Sequence, residues 1–349
     1  MRLAKTTISV LAIWFGIFLA RPAYADILRV PGDFPTIQAA ITAAEDGDEV
    51  EVHPGTYNEN INLLGKAITV RSTDPTDPAV VVSTIIDGGG LGTVVTCDSG
   101  EGADTVLSGF VITGGNARSE GGGMYNLLSS PTVSNCTFSG NAATVRGGGM
   151  ANSTSNATVT NCTFSNNTAG FGGGMANTNQ SYALVTNCTF SGNTATGSGG
   201  GMYNFLCVPT VTHCTFSGNT AMNVGGGMRN SGRSPTVSHC TFSGNTAING
   251  GGGMYCTGGP TVSHCTFSGN ASSDGGGMYI SGGNTKVSDC QIWGNTPDQI
   301  FGPFTDDGGN IMGPYCPPPK SPCPSDITGD GEVGPLDLAL VLGFWGSCP

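Results

Sequence analysis

Apolar residues recur along the middle of the chain with a fixed period. Within each unit they fall at Val133, Cys136 and Phe138 or their equivalents. Side chains alternate across a strand, so Cys136 and Phe138 share one face and Thr137 points away from it. Val133 has the wrong parity for that strand. The chain must therefore turn a corner between Val133 and Cys136, and Asn135 sits at that corner. The cysteines Cys136, Cys162, Cys188, Cys214, Cys240, Cys265 and Cys290 mark the period, spaced by 26 residues and, in the last two steps, by 25. An earlier, degenerate copy carries Phe110 in place of the cysteine.

Each unit reads PTVSNCTFSGN, a short variable loop, then GGGM. A period of this length, with short β-branched runs and Gly-rich turns, predicts one coil of a β-solenoid. A single coil cannot bury its own apolar face. Stacked coils bury a continuous column, with in-register parallel strands about 4.8 Å apart. The corner residues are Gly109, Asn135, Asn161, Asn187, His213, His239, His264 and Asp289. These are the types found at positive φ, where β-branched residues are strongly disfavoured. The three histidines, each one residue before a cysteine, thus read as left-handed corners; a stacked three-histidine metal site is the alternative.

Other columns follow from the same register. Asn141, Asn167, Asn193, Asn219, Asn245, Asn270 and Asn295 predict a ladder of side-chain amides bonded along the axis. The methionines after the glycines, Met124 to Met278, predict core residues opposite Phe. Stacked cysteines have parallel Cβ vectors about 4.8 Å apart, too far for a bridge, which predicts buried free thiols.

The chain has 349 residues, a formal charge of −12, 58 glycines and only 10% charged residues. Such a composition suits disorder, but the strict repeat argues for order. Residues 1–25 have the form of a signal peptide: Arg2 and Lys5, an apolar run from Ile8 to Ala20, then Ala23-Tyr24-Ala25. This predicts a secreted or cell-surface protein with no membrane span. Without Arg2, Lys5 and Arg21 the charge becomes −15, which disfavours nucleic acid and anionic membranes as partners.

Between Val30 and Ile61, the apolar positions Ile37, Ala40, Ile41 and Ala44 share one helical face, with Pro35 before them and Gly47 after. This helix, followed by EVEV, resembles the N-terminal cap of pectin-lyase-like right-handed parallel β-helices. The repeats resemble those of chlamydial polymorphic outer-membrane proteins, whose FxxN and GGA[I/L/V] motifs match Phe138 to Asn141 and Gly147 to Met150. The expected fold is an all-β, right-handed parallel β-helix with a capping helix and a small C-terminal module. The expected organisation is a signal peptide at 1–25, cap and irregular coils at 26–105, regular repeats at 106–300, a Pro-rich linker at 301–323, and the module at 324–349. Gly55, Tyr57 and Glu59 also match the GxYxE string of pectin methylesterases, but the later motifs carrying that family's catalytic residues are absent. Tyr57 and Glu59 are read as cap structure.

Many pectin-lyase-like proteins are polysaccharide lyases, hydrolases or esterases, chemistries that need specific charges. From Gly121 to Asn295 the only acids are Asp274 and Asp289, and the only Lys or Arg residues are Arg146, Arg229, Arg233 and Lys286. No convergent acid–base set can be built from these. Asp87, Asp98, Glu101 and Asp104 leave room for a site in the early coils. The residue after each repeat Met points outward: Tyr125, Ala151, Ala176, Tyr203, Arg229, Tyr255 and Tyr279. Tyr125, Tyr203, Arg229, Tyr255 and Tyr279 are the candidate ligand contacts, as an exposed aromatic line for sugar rings or as a ladder of rings stacked on one another.

Near the C-terminus, Asp326, Thr328, Asp330, Glu332 and Asp337 stand at calcium-ligand positions of an EF-hand-type loop, with Gly331 at the sharp bend. The segment resembles a single dockerin repeat, which implies calcium as cofactor and a cohesin-like partner; true dockerins carry two copies. A Cys323–Cys348 bridge would bracket it, and Cys97, Cys207, Cys256 and Cys316 are left without an assigned partner. The expected function is binding, to polysaccharide or a cell-envelope surface through the solenoid and to an anchor through the tail. The alternatives are a polysaccharide lyase or hydrolase and a structural adhesin.

Overall fold

The computed structural model describes residues 25–314. The signal-peptide assignment, the linker from residue 315 on and the calcium module lie outside the described residues. The described chain is a right-handed parallel β-solenoid of about 11 turns. Each regular coil contributes to four sheets. In one coil the strands are Thr132–Ser134, Thr137–Ser139, Ala142–Arg146 and Met150–Ser153. These belong to sheets of 12, 11, six and ten strands, numbered first to fourth in that order. The strand pairings between coils are parallel and keep register, as in Val133 with Val159 and Phe138 with Phe164, except for a register shift between Ala143 and Arg146 in the third sheet.

The corner is where the sequence places it. Asn135, Asn161, Asn187, His213, His239, His264 and Asp289 have φ between 52° and 55°, and Gly109 has φ 82°. The turn they make lets Val133, Cys136 and Phe138 all point inward, each fully buried. The core phenylalanines stack face to face from Phe138 to Phe267 at 4.6–4.8 Å. That spacing is the inter-strand distance of the sheets, so the backbone register sets the stacking of the aromatic column.

The asparagine ladder closes the turn after each Phe. Asn193 donates its backbone N–H (3.0 Å) and its Nδ2 (2.9 Å) to Asn219 Oδ1 in the next coil, and a second Nδ2 bond returns to Phe164 O at 2.9 Å. Every amide is thus used in the dry interior, where an unpaired one costs about 1–3 kcal/mol. The ladder ends on Gln299, whose Oε1 accepts from Asn295 Nδ2 at 2.8 Å.

All the described cysteines are free and buried. In the repeat column Cys188 N–H donates to Cys214 Sγ at 3.5 Å, and Cys214 Sγ donates to Thr212 O at 3.2 Å. Burial pushes the Cys162 thiol well above its ordinary value.

A second inward asparagine column escapes the sequence reading. Asn126, Asn152, Asn177, Asn204 and Asn230, two residues after each Met, bond Nδ2 to Oδ1 along the axis at 2.7–2.9 Å. Cys97 occupies the same column before Asn126, and Cys256 follows Asn230. Asn126 Oδ1 and Asn230 Nδ2 have no nitrogen or oxygen partner. A thiol is both a weak donor and a weak acceptor, so the two cysteines end a polar column without adding a charge. This accounts for two of the cysteines that the sequence leaves without a partner; neither is disulfide-bonded.

At the N-terminal end, helix Ile37–Ala43 buries Ile37, Ala40 and Ile41 over the first coil. Glu59 Oε1 and Oε2 accept from the N–H groups of Ile37 and Gln38, both at 2.9 Å. Lys66 Nζ donates to the carbonyls of Ile41, Thr42 and Ala44 at the other end. A carboxylate at the N-terminus and an ammonium at the C-terminus each match the local helix dipole. Tyr57 Oη donates to His53 O at 2.8 Å. The residues of the GxYxE string therefore hold the cap.

Candidate functional site

The fourth sheet carries the outward column. Tyr125, Ala151, Ala176, Tyr203, Arg229, Tyr255, Tyr279 and Phe301 stand in register on its successive strands. Exposure along this column is uneven. Ala151, Ala176 and Tyr203 are buried, whereas Tyr125, Arg229, Tyr255 and Tyr279 are half-buried. The glycine stretch before each Met folds the preceding loop back toward this face: a Cβ at Gly172 would stand 3.0 Å from Ala176 Cβ, and one at Gly225 would stand 3.0 Å from Arg229 Cβ. The Tyr203 ring is also covered by Phe171 of the third sheet, 5.1 Å away, and neighbours Phe205 at 6.1 Å.

The column divides into two parts. In the later coils the side chains stack on one another. Arg229 Cζ lies 5.3 Å from the Tyr203 ring centroid and 5.9 Å from that of Tyr255. Tyr255 stacks on Tyr279 at 5.1 Å, and Tyr279 on Phe301 at 5.0 Å. The result is a continuous stack of rings, faces turned to their neighbours, with one guanidinium in the series. Tyr203 is held protonated, its pKa raised mainly by burial.

Tyr125, separated from the strip by the two alanines, belongs to a cleft. Residues 90–93 form one wall and residues 116–120 the other, around a volume of about 620 Å³. The walls are tied by a bond from Asn116 N–H to Gly92 O at 2.8 Å. Arg118 and Ser119 are exposed on the rim, and Leu91 is 84% exposed there. Glu120 is paired with Arg146 at 2.5 Å. Burial, then Glu120 and Asp98, raise the Tyr125 pKa, so its phenol is a hydrogen-bond donor at neutral pH. The volume lies in the range of ligand pockets. The arrangement offers a ring face, a free guanidinium and several neutral donors; its one carboxylate is already neutralised.

The acids of the early coils are mostly engaged in local structure. Glu101 is buried and accepts from Gly65 N–H, Ser99 N–H and Ser129 Oγ, all within 2.8–2.9 Å. Asp87 accepts from Gly89 N–H at 2.8 Å, closing a turn. Asp98 accepts from Asn62 Nδ2 at 3.2 Å. Asp104 is exposed. Glu101 and Asp87 are thus turn-closing groups, and sequence had no signal for the cleft beside Tyr125, because its walls are the variable segments that precede the strands of the fourth sheet.

The histidines form a stack of their own on a different corner. Their rings lie 4.8 Å apart and within 12° of parallel. Two donors on one zinc, each about 2.1 Å from it, stand at most about 4.2 Å apart. Rings at this spacing do not converge on one ion, and no group of three metal-ligating side chains occurs among the described residues. The candidate calcium ligands Asp326, Thr328, Asp330, Glu332 and Asp337 lie outside the described residues. No helix among those described is long and apolar enough to cross a membrane.

The profile of the right handed beta helix region family matches residues 67–242 and 207–311. The chain belongs to this family. The β-helix is also similar to three solved structures. Against the pectate lyase Pel9A the TM-score is 0.42 at 14% identity, covering 83% of this chain and 74% of that one. Against an alginate lyase from Paenibacillus sp. str. FPU-7 it is 0.38 at 12%, covering 82% and 97%. Against a mannuronic acid specific polysaccharide family 6 lyase from human gut microbiota it is 0.34 at 12%, covering 83% of each. At these scores the likeness goes no further than solenoid architecture. No curated protein matches the β-helix in sequence.

Proposed function

We propose that this β-helix is a secreted polysaccharide-binding protein that holds a glycan or a glycan-bearing cell-envelope surface along its fourth sheet. The observation that carries this reading is the Tyr203–Arg229–Tyr255–Tyr279–Phe301 strip, continuous at 5.0–5.9 Å from Arg229 onward. Because these rings are stacked on one another, they offer a glycan their edges and phenol groups rather than free faces, and a partly desolvated guanidinium adds a donor for hydroxyl or carboxylate groups. The cleft beside Tyr125 extends the same face by one ring-sized site. In the same proposal the tail carries calcium at Asp326, Thr328, Asp330, Glu332 and Asp337 and anchors the chain to a cohesin-like partner.

A lyase or hydrolase is the second reading, favoured by the position of the cleft over the early coils. It is weakened by the engagement of Glu101 and Asp87 in turns and of Glu120 with Arg146. The test is incubation of the chain from Asp26 with calcium and a panel of acidic and neutral polysaccharides. Reducing ends, unsaturated products and retained intact polymer are measured in parallel. Retention without cleavage is expected. New ends or unsaturated products would overturn the binding-only reading, and neither outcome would leave a structural adhesin.

A further inference from the structure

The two ends of the solenoid are built differently. At the N-terminal end the helix Ile37–Ala43 lies over the first layer of core. At the other end, Ile300 continues the inward column of Met278, and Met312 continues that of Ile292. Met278 and Ile292 are fully buried, yet Met312 is 41% exposed and Ile300 is half-buried. Ile300, Phe304, Met312 and Pro314 line a depression of about 420 Å³. The column of Val287 ends on Asp306, whose carboxylate accepts from Gly308 N–H and Asn310 Nδ2. The last strands, Ile300–Phe301, Thr305–Asp306 and Ile311–Gly313, each end a sheet. An open apolar layer beside unpaired strand edges invites association.

The chain leaves the described residues at Pro314, on the rim of that depression, and runs on to Pro349. Within this stretch, Leu336 to Trp345 reads LDLALVLGFW, with Asp337 its only charge. A segment apolar on every face needs burial, and this one is too short to span a bilayer, which takes about 20 residues. The stretch between Pro314 and Leu336 reaches up to about 70 Å when extended, so the segment can return to the rim. The same chain thus holds a partly exposed core layer and, further along its sequence, a strongly apolar segment on one tether. Tethering makes their meeting intramolecular, at an effective concentration on the order of millimolar.

We infer that Leu336–Trp345 folds back onto the C-terminal end of the solenoid and covers Ile300, Phe304 and Met312, as the first helix covers the opposite end. This does not depend on the glycan reading. A cohesin-like partner that needs the same segment must displace it.

The test uses the chain from Asp26, in which Trp293 and Trp345 are the only tryptophans. Amide exchange is compared between this chain and one carrying Leu340→Asp and Phe344→Asp. The edge amides of Ile311–Gly313 are expected to exchange at least about tenfold faster in the variant, with those of Thr189–Ser191 unchanged as the control for folding. In a Trp293→Phe background, Trp345 emission is expected at short wavelength and shifts to the red on Met312→Asp. Equal edge exchange in the two chains, or red, water-exposed Trp345 emission without the Met312 change, would overturn the inference. Edge protection that rises with protein concentration would also overturn it, by assigning the end to a second copy of the chain.

Discussion

Arg229 lies with its guanidinium 5.3 Å from the ring centroid of Tyr203, in the one stretch of the fourth sheet where side chains stack without a break to the end of the solenoid. Its Nε is buried without a partner, so the group is held by ring contacts rather than by hydrogen bonds or an acid. A partly desolvated cation over aromatic faces contributes about 1–2 kcal/mol. Arg229→Ala is therefore expected to weaken polysaccharide retention about tenfold, and Tyr255→Ala by a similar factor. Affinity electrophoresis reads the retention, and thermal unfolding separates it from loss of fold. Tyr203→Ala should instead lower thermal stability, because that ring is buried under Phe171.

The corner of each coil was legible because parity and residue type agree there. Val133 and Cys136 cannot both face inward along one strand, and only Gly, Asn, His and Asp occupy the position between them. The column after each Met was legible in its direction but not in its burial. Direction follows from period 2, whereas burial depends on Phe171 and the loops before GGGM, which vary in length and sequence. The inward column of Asn126 and its equivalents was missed because an asparagine in the middle of a strand reads as polar surface. Only the stacking of coils gives each amide a partner.

The corner assignment makes a prediction at His239, whose φ is 55°. His239→Asn should leave stability nearly unchanged, since Asn187 holds the equivalent position at φ 54°. His239→Val should lose about 1–3 kcal/mol, the cost of forcing a β-branched residue into the left-handed region. Urea unfolding of the two variants checks this. Equal losses would mean that the ring stack, not the backbone, sets the residue.

The buried ladder makes a stronger one. Asn219 Oδ1 accepts from Asn193 N–H and Nδ2, and Asn219 Nδ2 donates to Phe190 O. Asn219 Nδ2 also donates to Asn245 Oδ1 at 2.9 Å, so Asn219→Ala removes four bonds and leaves their partners dry. At about 1–3 kcal/mol for each orphaned group, a loss of several kcal/mol is expected. Since each coil contacts only its neighbours, the loss should centre there. Amide exchange should quicken most between about Thr189 and Ser243, which is the reading to make.

The proposed calcium loop is checked on the whole chain. Calorimetric titration of calcium into the chain from Asp26 is expected to give one site per molecule, abolished by Asp330→Ala. Asp330 supplies a carboxylate at the fifth loop position, and its loss removes both a ligand and a charge. Two sites, or one that survives Asp330→Ala, would place the ion elsewhere.

The thiol that ends the inward asparagine column sets a pH dependence. Burial holds the Cys256 pKa up at about 12, against an ordinary value of 9.0 for the exposed group. Below about pH 9 both folded and unfolded chains keep the thiol protonated, and its contribution to stability is fully present. As pH rises from 9 toward 12 the unfolded chain ionises and the folded chain does not, so stability falls, by at most about 1.4 kcal/mol per pH unit for this group. Cys256→Ala removes the effect while leaving every tyrosine and every other cysteine in place. The difference in urea-unfolding stability between the two chains should therefore shift in favour of the variant across that window and stay constant between pH 6 and 8. A difference that is flat to pH 11 would mean that Cys256 is not held protonated by its burial.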